Sequence, residues 1–163
     1  MTNRSRILIA DDHILVADLC RKLLETEFDV VGTVCDGRAL IRSALELKPD
    51  VIVVDIAMPM LNGLDAGQQV KELLPAVKLI YLTMNPDPEV VAEAFRRGAS
   101  GYLLKTCTTE ELVAAGSESA AGAWPTCPRA CPKRQSSTCA DNRRCRWARK
   151  IGLSTGSARC CNC

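Results

Sequence analysis

Five polar residues of this chain stand at the ends of short apolar runs, and together they could do phosphoryl chemistry. Asp11 and Asp12 follow Arg6-Ile-Leu-Ile-Ala10, Asp55 closes Asp50-Val-Ile-Val-Val-Asp55, Thr83 closes Val77-Lys-Leu-Ile-Tyr-Leu-Thr83, and Lys105 closes Gly101-Tyr-Leu-Leu-Lys105. Three carboxylates brought together repel one another unless a cation or a proton intervenes, and a hard divalent cation such as Mg²⁺ suits oxygen ligands. A lysine opposite the metal adds positive charge, and a threonine adds a hydroxyl donor. Metal, ammonium and hydroxyl converging on a carboxylate stabilise phosphoryl transfer by charge and position, with Asp55 as the acceptor. Alone, Asp11-Asp12 would be read as a turn or a helix cap. The chemistry requires the four run ends to meet.

Continuous apolar runs of this length suit strands of a parallel sheet buried on both faces. Asp29 to Val34 is a fifth candidate. Between the runs lie stretches with helical spacing. The first extends from about Ile14 to Thr26, with Leu15, Leu19, Leu23 and Leu24 on one face, and the second from Gly37 to Leu47, closing at Lys48-Pro49. A third follows Asn62-Gly63 and stops before Pro75; a fourth starts at Asp87-Pro88 and ends at Gly98. The fifth opens on Thr108-Thr-Glu-Glu111, a capping-box pattern. Strand and helix alternating five times predict an α/β, doubly wound, five-stranded parallel sheet, in which ligands collect beyond the carboxyl ends of the strands. Asp11, Asp12, Asp55, Thr83 and Lys105 are thereby expected at one edge.

The formal charge of +2 conceals two unlike parts. Residues 1–115 hold 12 Lys and Arg against 17 Asp and Glu, whereas residues 116–163 hold 9 against 2. Of the ten cysteines, Cys20, Cys35 and Cys107 lie in the first part and the other seven crowd into the second. No apolar run reaches the roughly 18 residues of a membrane span, and Met1 to Arg6 leads into a strand without a signal-peptide core. The expected location is cytoplasmic, where thiols stay reduced.

The Asp11-Asp12 pair, the run Val53-Val-Asp-Ile-Ala-Met-Pro-Met-Leu-Asn-Gly-Leu64, Leu82-Thr83 and Gly98-Ala-Ser-Gly-Tyr-Leu-Leu-Lys105 closely resemble two-component response-regulator receiver domains over residues 4–115. The resemblance implies a flavodoxin-like sheet of order 2-1-3-4-5. It implies that Asp55 takes a phosphoryl group from a sensor histidine kinase, and that Asp11, Asp12 and Asp55 with the carbonyl of Ala57 hold Mg²⁺. Thr83 and Lys105 would contact the phosphoryl oxygens, and Tyr102 would change rotamer as the Thr83 loop is drawn in. The switch would be read out on the fourth helix, fifth strand and fifth helix, a face through which a homodimer could also form. Thr106 stands where a proline commonly follows the lysine; relatives of NarL and FixJ often lack it too, and Gly101-Tyr-Leu-Leu-Lys105 leans toward that branch of transcription regulators.

Blander readings stand beside these. His13, the sole histidine, rules out a cluster built on imidazoles and reads as an exposed residue at a helix start. Met58-Pro-Met60 reads as loop shape and local packing, and Tyr102 could be core packing.

From residue 116 onward the periodicity disappears, and between Ala121 and Cys163 the only large apolar residues are Trp124, Trp147, Ile151 and Leu153. The segment 116–163 is therefore expected to be a disordered, basic, cysteine-rich tail. Cys127-x₃-Cys131 and the wider spacings that follow lack paired C-x₂-C knuckles, which argues against zinc. Its basic residues could bind nucleic acid non-specifically. An out-of-frame translation explains it better. Read with the last base of each codon joined to the next two, Cys160 to Cys163 and the residues before them allow Arg-Gln-Arg-Glu-Val-Leu-Gln-Leu, which resembles the first helix of a LuxR-type helix-turn-helix. The frame would break between Leu112 and Gly116.

Three function classes follow. The first is a phosphorylation-dependent response regulator, ancestrally controlling transcription and binding DNA only if an in-frame helix-turn-helix exists. The second is a stand-alone receiver acting by protein–protein interaction. An enzyme such as a small phosphatase with Asp55 as nucleophile would need a further acid/base and a substrate cap, which the sequence lacks.

Overall fold

A computed structural model of the chain describes residues 4–84, 87–107 and 109–121. Strands β1 (Arg6–Ala10), β2 (Asp29–Val34), β3 (Val51–Asp55), β4 (Lys78–Thr83) and β5 (Gly101–Leu104) alternate with helices α1 (Ile14–Leu24), α2 (Gly37–Leu47), α3 (Gly63–Leu73), α4 (Pro88–Arg96) and α5 (Thr109–Ala120). All strand pairs are parallel and the order is β2-β1-β3-β4-β5, the flavodoxin-like doubly wound sheet expected.

Each strand sends alternate side chains to opposite faces, which divides the core in two. Ile7, Ile9, Val51, Val53, Ile80 and Leu82 face Leu24, Leu112 and Ala115 of α1 and α5. Leu8, Ile52, Val54 and Tyr81 face Leu40, Ala66, Val70 and Phe95 on the other side. Burying each such side chain fully contributes roughly 1.5–3 kcal/mol, which explains why β3, covered on both faces, is apolar until Asp55.

Helix starts follow local polar signals. Asp36, Asn62 and Asp87 each accept a backbone N–H with their side chains at the starts of α2, α3 and α4. Pro88 stands in the first turn of α4, and Gly98 takes a φ of +90° just beyond it.

Two expectations need correction. Leu15 and Leu19 do not lie on the buried face of α1: they are 85% and 56% exposed, and the helix packs instead on Ala17, Cys20 and Leu24. Contact with the sheet and α5 needs only the narrow stripe at i, i+3 and i+7, and small residues let α1 approach closely. The periodicity expected to disappear after residue 115 persists: α5 continues to Ala120, burying Leu112, Ala115, Gly116 and Ser119 at the same helical spacing. Small residues sustain a packed face that a search for large apolar periodicity passes over. Thr108, the expected cap, and the tail cysteines lie outside the described residues.

Candidate functional site at the carboxyl edge of the sheet

β1 and β3 are adjacent, so Asp11 and Asp55 emerge side by side from the centre of the sheet. Asp11 leaves β1 with its N–H bonded to the Val34 carbonyl at 3.0 Å. Its carboxylate does two jobs: Oδ1 accepts the His13 N–H at 2.8 Å, and Oδ2 lies 2.8 Å from Lys105 Nζ. Asp11 thus forms the turn that leads into α1 rather than its cap, and the turn is compatible with the chemical reading. Asp55 is divided likewise, Oδ1 accepting the Ala57 N–H at 3.1 Å and Oδ2 lying 2.9 Å from Lys105 Nζ.

Lys105 therefore bridges two carboxylates whose residues are 2% and 1% exposed. Burial works against its charge, yet the hydrogen bonds and negative charges of Asp11 and Asp55 hold the ammonium above its usual range. The Lys105 N–H donates to the Thr83 carbonyl at 2.8 Å, so the end of β4 fixes the start of the lysine's path. Thr83 itself is half-buried at the strand end. Tyr102 is fully buried on β5, in register with Tyr81; burial raises its phenol above the ordinary value, and the neighbouring Thr83 hydroxyl pulls the other way.

Asp12 is 28% exposed at the mouth, with Oδ1 2.8 Å from His13 Nδ1. Ligand atoms of Asp11, Asp12, His13 and Asp55 all lie within 4.8 Å of one another. Three carboxylates form a hard oxygen donor set that fits Mg²⁺, and one imidazole does not turn it into a zinc site. His13, exposed as expected at the start of α1, lies within this group. Ala57 lies exposed at the lip, its N–H on Asp55.

The β3–α3 loop is shaped tightly around Asp55. Met60 adopts a φ of +66°, a left-handed conformation uncommon outside glycine, while Met58 is buried and Met60 is 78% exposed. At Gly63 a Cβ would overlap the carbonyl of Asp55, and the Gly63 N–H donates to the Ile56 carbonyl at 2.9 Å. Nothing short of that packing explains why glycine opens α3, and its place beside Asn62 was legible only as a turn signal. Among the described residues no helix is long and apolar enough to cross a membrane.

The sequence pattern of the response regulator receiver domain matches residues 7–116. The chain is 38% identical over 112 residues to the transcriptional regulatory protein LnrK of Bacillus subtilis, covering 68% of this chain and 51% of that protein. It is 37% identical over 113 residues to the oxygen regulatory protein NreC of Staphylococcus haemolyticus, covering 68% and 52%. The chain thus spans about half the length of these relatives. Among solved structures, the signal receiver domain of the response regulator NarL from Mycobacterium tuberculosis superposes with a TM-score of 0.71 at 29% identity, covering 74% of this chain and 98% of that one. A LuxR-family response regulator from Aurantimonas sp. gives a TM-score of 0.72 at 30% identity, covering 76% and 89%. With this sheet order and these relatives, the chain belongs to the response regulators, and its described part is a receiver domain of the NarL/LuxR type.

Proposed function

We propose that Asp55 accepts a phosphoryl group from a histidine kinase and that this charge switches the domain between two states. The observation that carries the reading is the Asp55 carboxylate, buried at the end of the central strand with one oxygen on Lys105 and beside Asp11 and Asp12. An Asp55 oxygen attacks phosphorus as the bond from phosphorus to the kinase imidazole breaks, so that an acyl phosphate forms and the imidazole is released. Lys105 gives up part of its pairing with Asp55 to meet the incoming oxygens, and Thr83 donates its hydroxyl to them. Asp11, Asp12 and Asp55 with the Ala57 carbonyl would hold Mg²⁺, which when bound supplies positive charge to the phosphoryl oxygens. Tyr102, packed beside Thr83, follows that loop and alters the face of α4, β5 and α5, where a second copy or another partner docks. On this reading the chain is a cytoplasmic phosphoacceptor switch. Its own chemistry is limited to taking phosphate from a donor and losing it to water.

Transcription control is the proposed ancestral output. We assign residues 116–163 to a shifted reading frame, and DNA binding would need the in-frame helix-turn-helix. Sequencing the coding DNA across codons 110 to 120 tests this; an uninterrupted frame there removes the argument. The site itself is tested by incubating the chain with Mg²⁺ and a small acyl phosphate and following intact mass. Wild type gains one phosphoryl group and Asp55→Asn does not; equal labelling rules out Asp55 as the acceptor.

A further inference from the structure

One ion pair joins two helices that are distant in sequence. Arg97, directly after α4, donates from Nε to Glu93 at 2.6 Å and from Nη1 to Asp65 at 2.6 Å. Asp65 lies in the first turn of α3, and its second oxygen accepts from Asn62 Nδ2 at 2.7 Å while its own N–H donates to Asn62 Oδ1 at 2.9 Å. Both carboxylate oxygens are engaged, so the guanidinium is attached to the cap of α3. The next residue after that cap is Gly63, pressed on the Asp55 carbonyl. A short chain of contacts thus leads from the end of α4 to the backbone of the acceptor.

A buried polar atom near the pair gives it further purpose. The Tyr81 hydroxyl is buried without a hydrogen-bond partner among the described residues, and it passes so close to Gly67 of α3 that a Cβ there would overlap it. Burial raises the Tyr81 phenol well above its ordinary value, and the charges of Arg97 and Asp65 both reach it. The pair therefore joins α3 and α4 near a buried polar atom that a looser packing would expose to water.

We propose that Arg97 is a positioning residue, a clasp that ties the end of α4 to the start of α3 and so couples a switch helix to the loop over Asp55. The significance of α4 as a switch helix rests on the phosphoacceptor reading; the mechanical coupling does not. The Arg97 side chain is 26% exposed and Asp65 44%, so the clasp is only partly shielded from water and can open at modest cost. A forked guanidinium holding two carboxylates also has a geometry that lysine cannot reproduce.

The test is amide hydrogen exchange on the full chain without phosphate, comparing wild type with Arg97→Gln, Asp65→Asn and the double variant. Glu25→Gln, which breaks the exposed Arg21–Glu25 pair on α1, is the control. The clasp predicts exchange about two- to fivefold faster both in residues 88–97 and in residues 56–63, which Arg97 does not touch. The double variant should match either single one, because the two residues act as a unit. Faster exchange confined to residues 88–97 makes Arg97 a local helix brace and overturns the proposal, as does no change in either segment. Arg97→Lys, which keeps the charge without the fork, should fall between wild type and Arg97→Gln, and it serves if the others fold poorly. Acyl phosphate labelling of the same proteins is a separate arm. The clasp predicts at least a twofold change in the Asp55 labelling rate of Arg97→Gln. Failure of wild type to label refutes the phosphoacceptor reading, and the exchange comparison still decides the coupling.

Discussion

Replacing Lys105 by methionine should expose the electrostatic cost on which the site is built. The substitution keeps most of the side-chain volume but removes the ammonium held 2.8 Å from Asp11 and 2.9 Å from Asp55. Two carboxylates then face each other in a buried site, their ligand atoms within 4.8 Å. At that distance and an effective dielectric near 20 their repulsion is about 3 kcal/mol. Breaking a buried pair by removing one partner costs a similar amount, roughly 3–5 kcal/mol. Urea unfolding at pH 7 without divalent cations should therefore show a deficit of about 3 kcal/mol against wild type. The deficit should shrink in Lys105→Met with Asp55→Asn, which removes one of the two facing charges. Mg²⁺ at a hundred times its dissociation constant should restore about 2.7 kcal/mol. In the wild-type protein folding raises the Lys105 pKa above 10.5, so its contribution is full below that value and is lost as the pH climbs through the folded one. An unchanged midpoint for Lys105→Met, or a deficit indifferent to both Asp55→Asn and Mg²⁺, would refute the charge balance described here.

Three further outcomes follow from the packing. Gly63→Ala forces a methyl against the Asp55 carbonyl and should cost about 1–3 kcal/mol in a urea melt while slowing acyl phosphate labelling; normal labelling would show that the loop has slack. Ser119→Ala removes a buried hydroxyl that has no partner among the described residues, and should raise stability by about 1 kcal/mol; a loss would mean that the hydroxyl is satisfied. The Cys20 thiol is pushed up to about 11, by burial first and then by the Asp11 charge, so peptide mapping after iodoacetamide at pH 8 should find exposed Cys35 modified and Cys20 intact until the protein unfolds. Equal modification of the two in the native state would contradict the packing of α1.

The strands and the order of elements were legible because β1, β3 and β4 are buried on both faces and read as unbroken apolar runs ending in polar residues. Parallel topology brings every run end to one edge, and the strand order then lets Asp11, Asp12, Asp55 and Lys105 meet. The buried face of α1 was not legible. Leu15 and Leu19 outrank Ala17 in hydrophobicity, and only the neighbouring elements decide which stripe is covered. Helix α5 was cut short for a related reason, since Ala115, Gly116 and Ser119 pack by being small, and smallness leaves no periodic signal. The Arg97–Asp65 pair links residues 32 positions apart through side chains alone, and no local pattern announces it.

The strand that ends in Asp55 is enclosed by β1 and β4 and covered above and below, with every residue from Val51 to Asp55 buried. A group added to its tip finds an anvil behind it. The extra volume and charge can displace only what lies in front, the turns bearing Ala57 and Thr83, and so move outward to the rim. On the proposed reading the central strand can stay as it is, while Thr83, the Tyr102 packed beside it and the turns at the rim change shape.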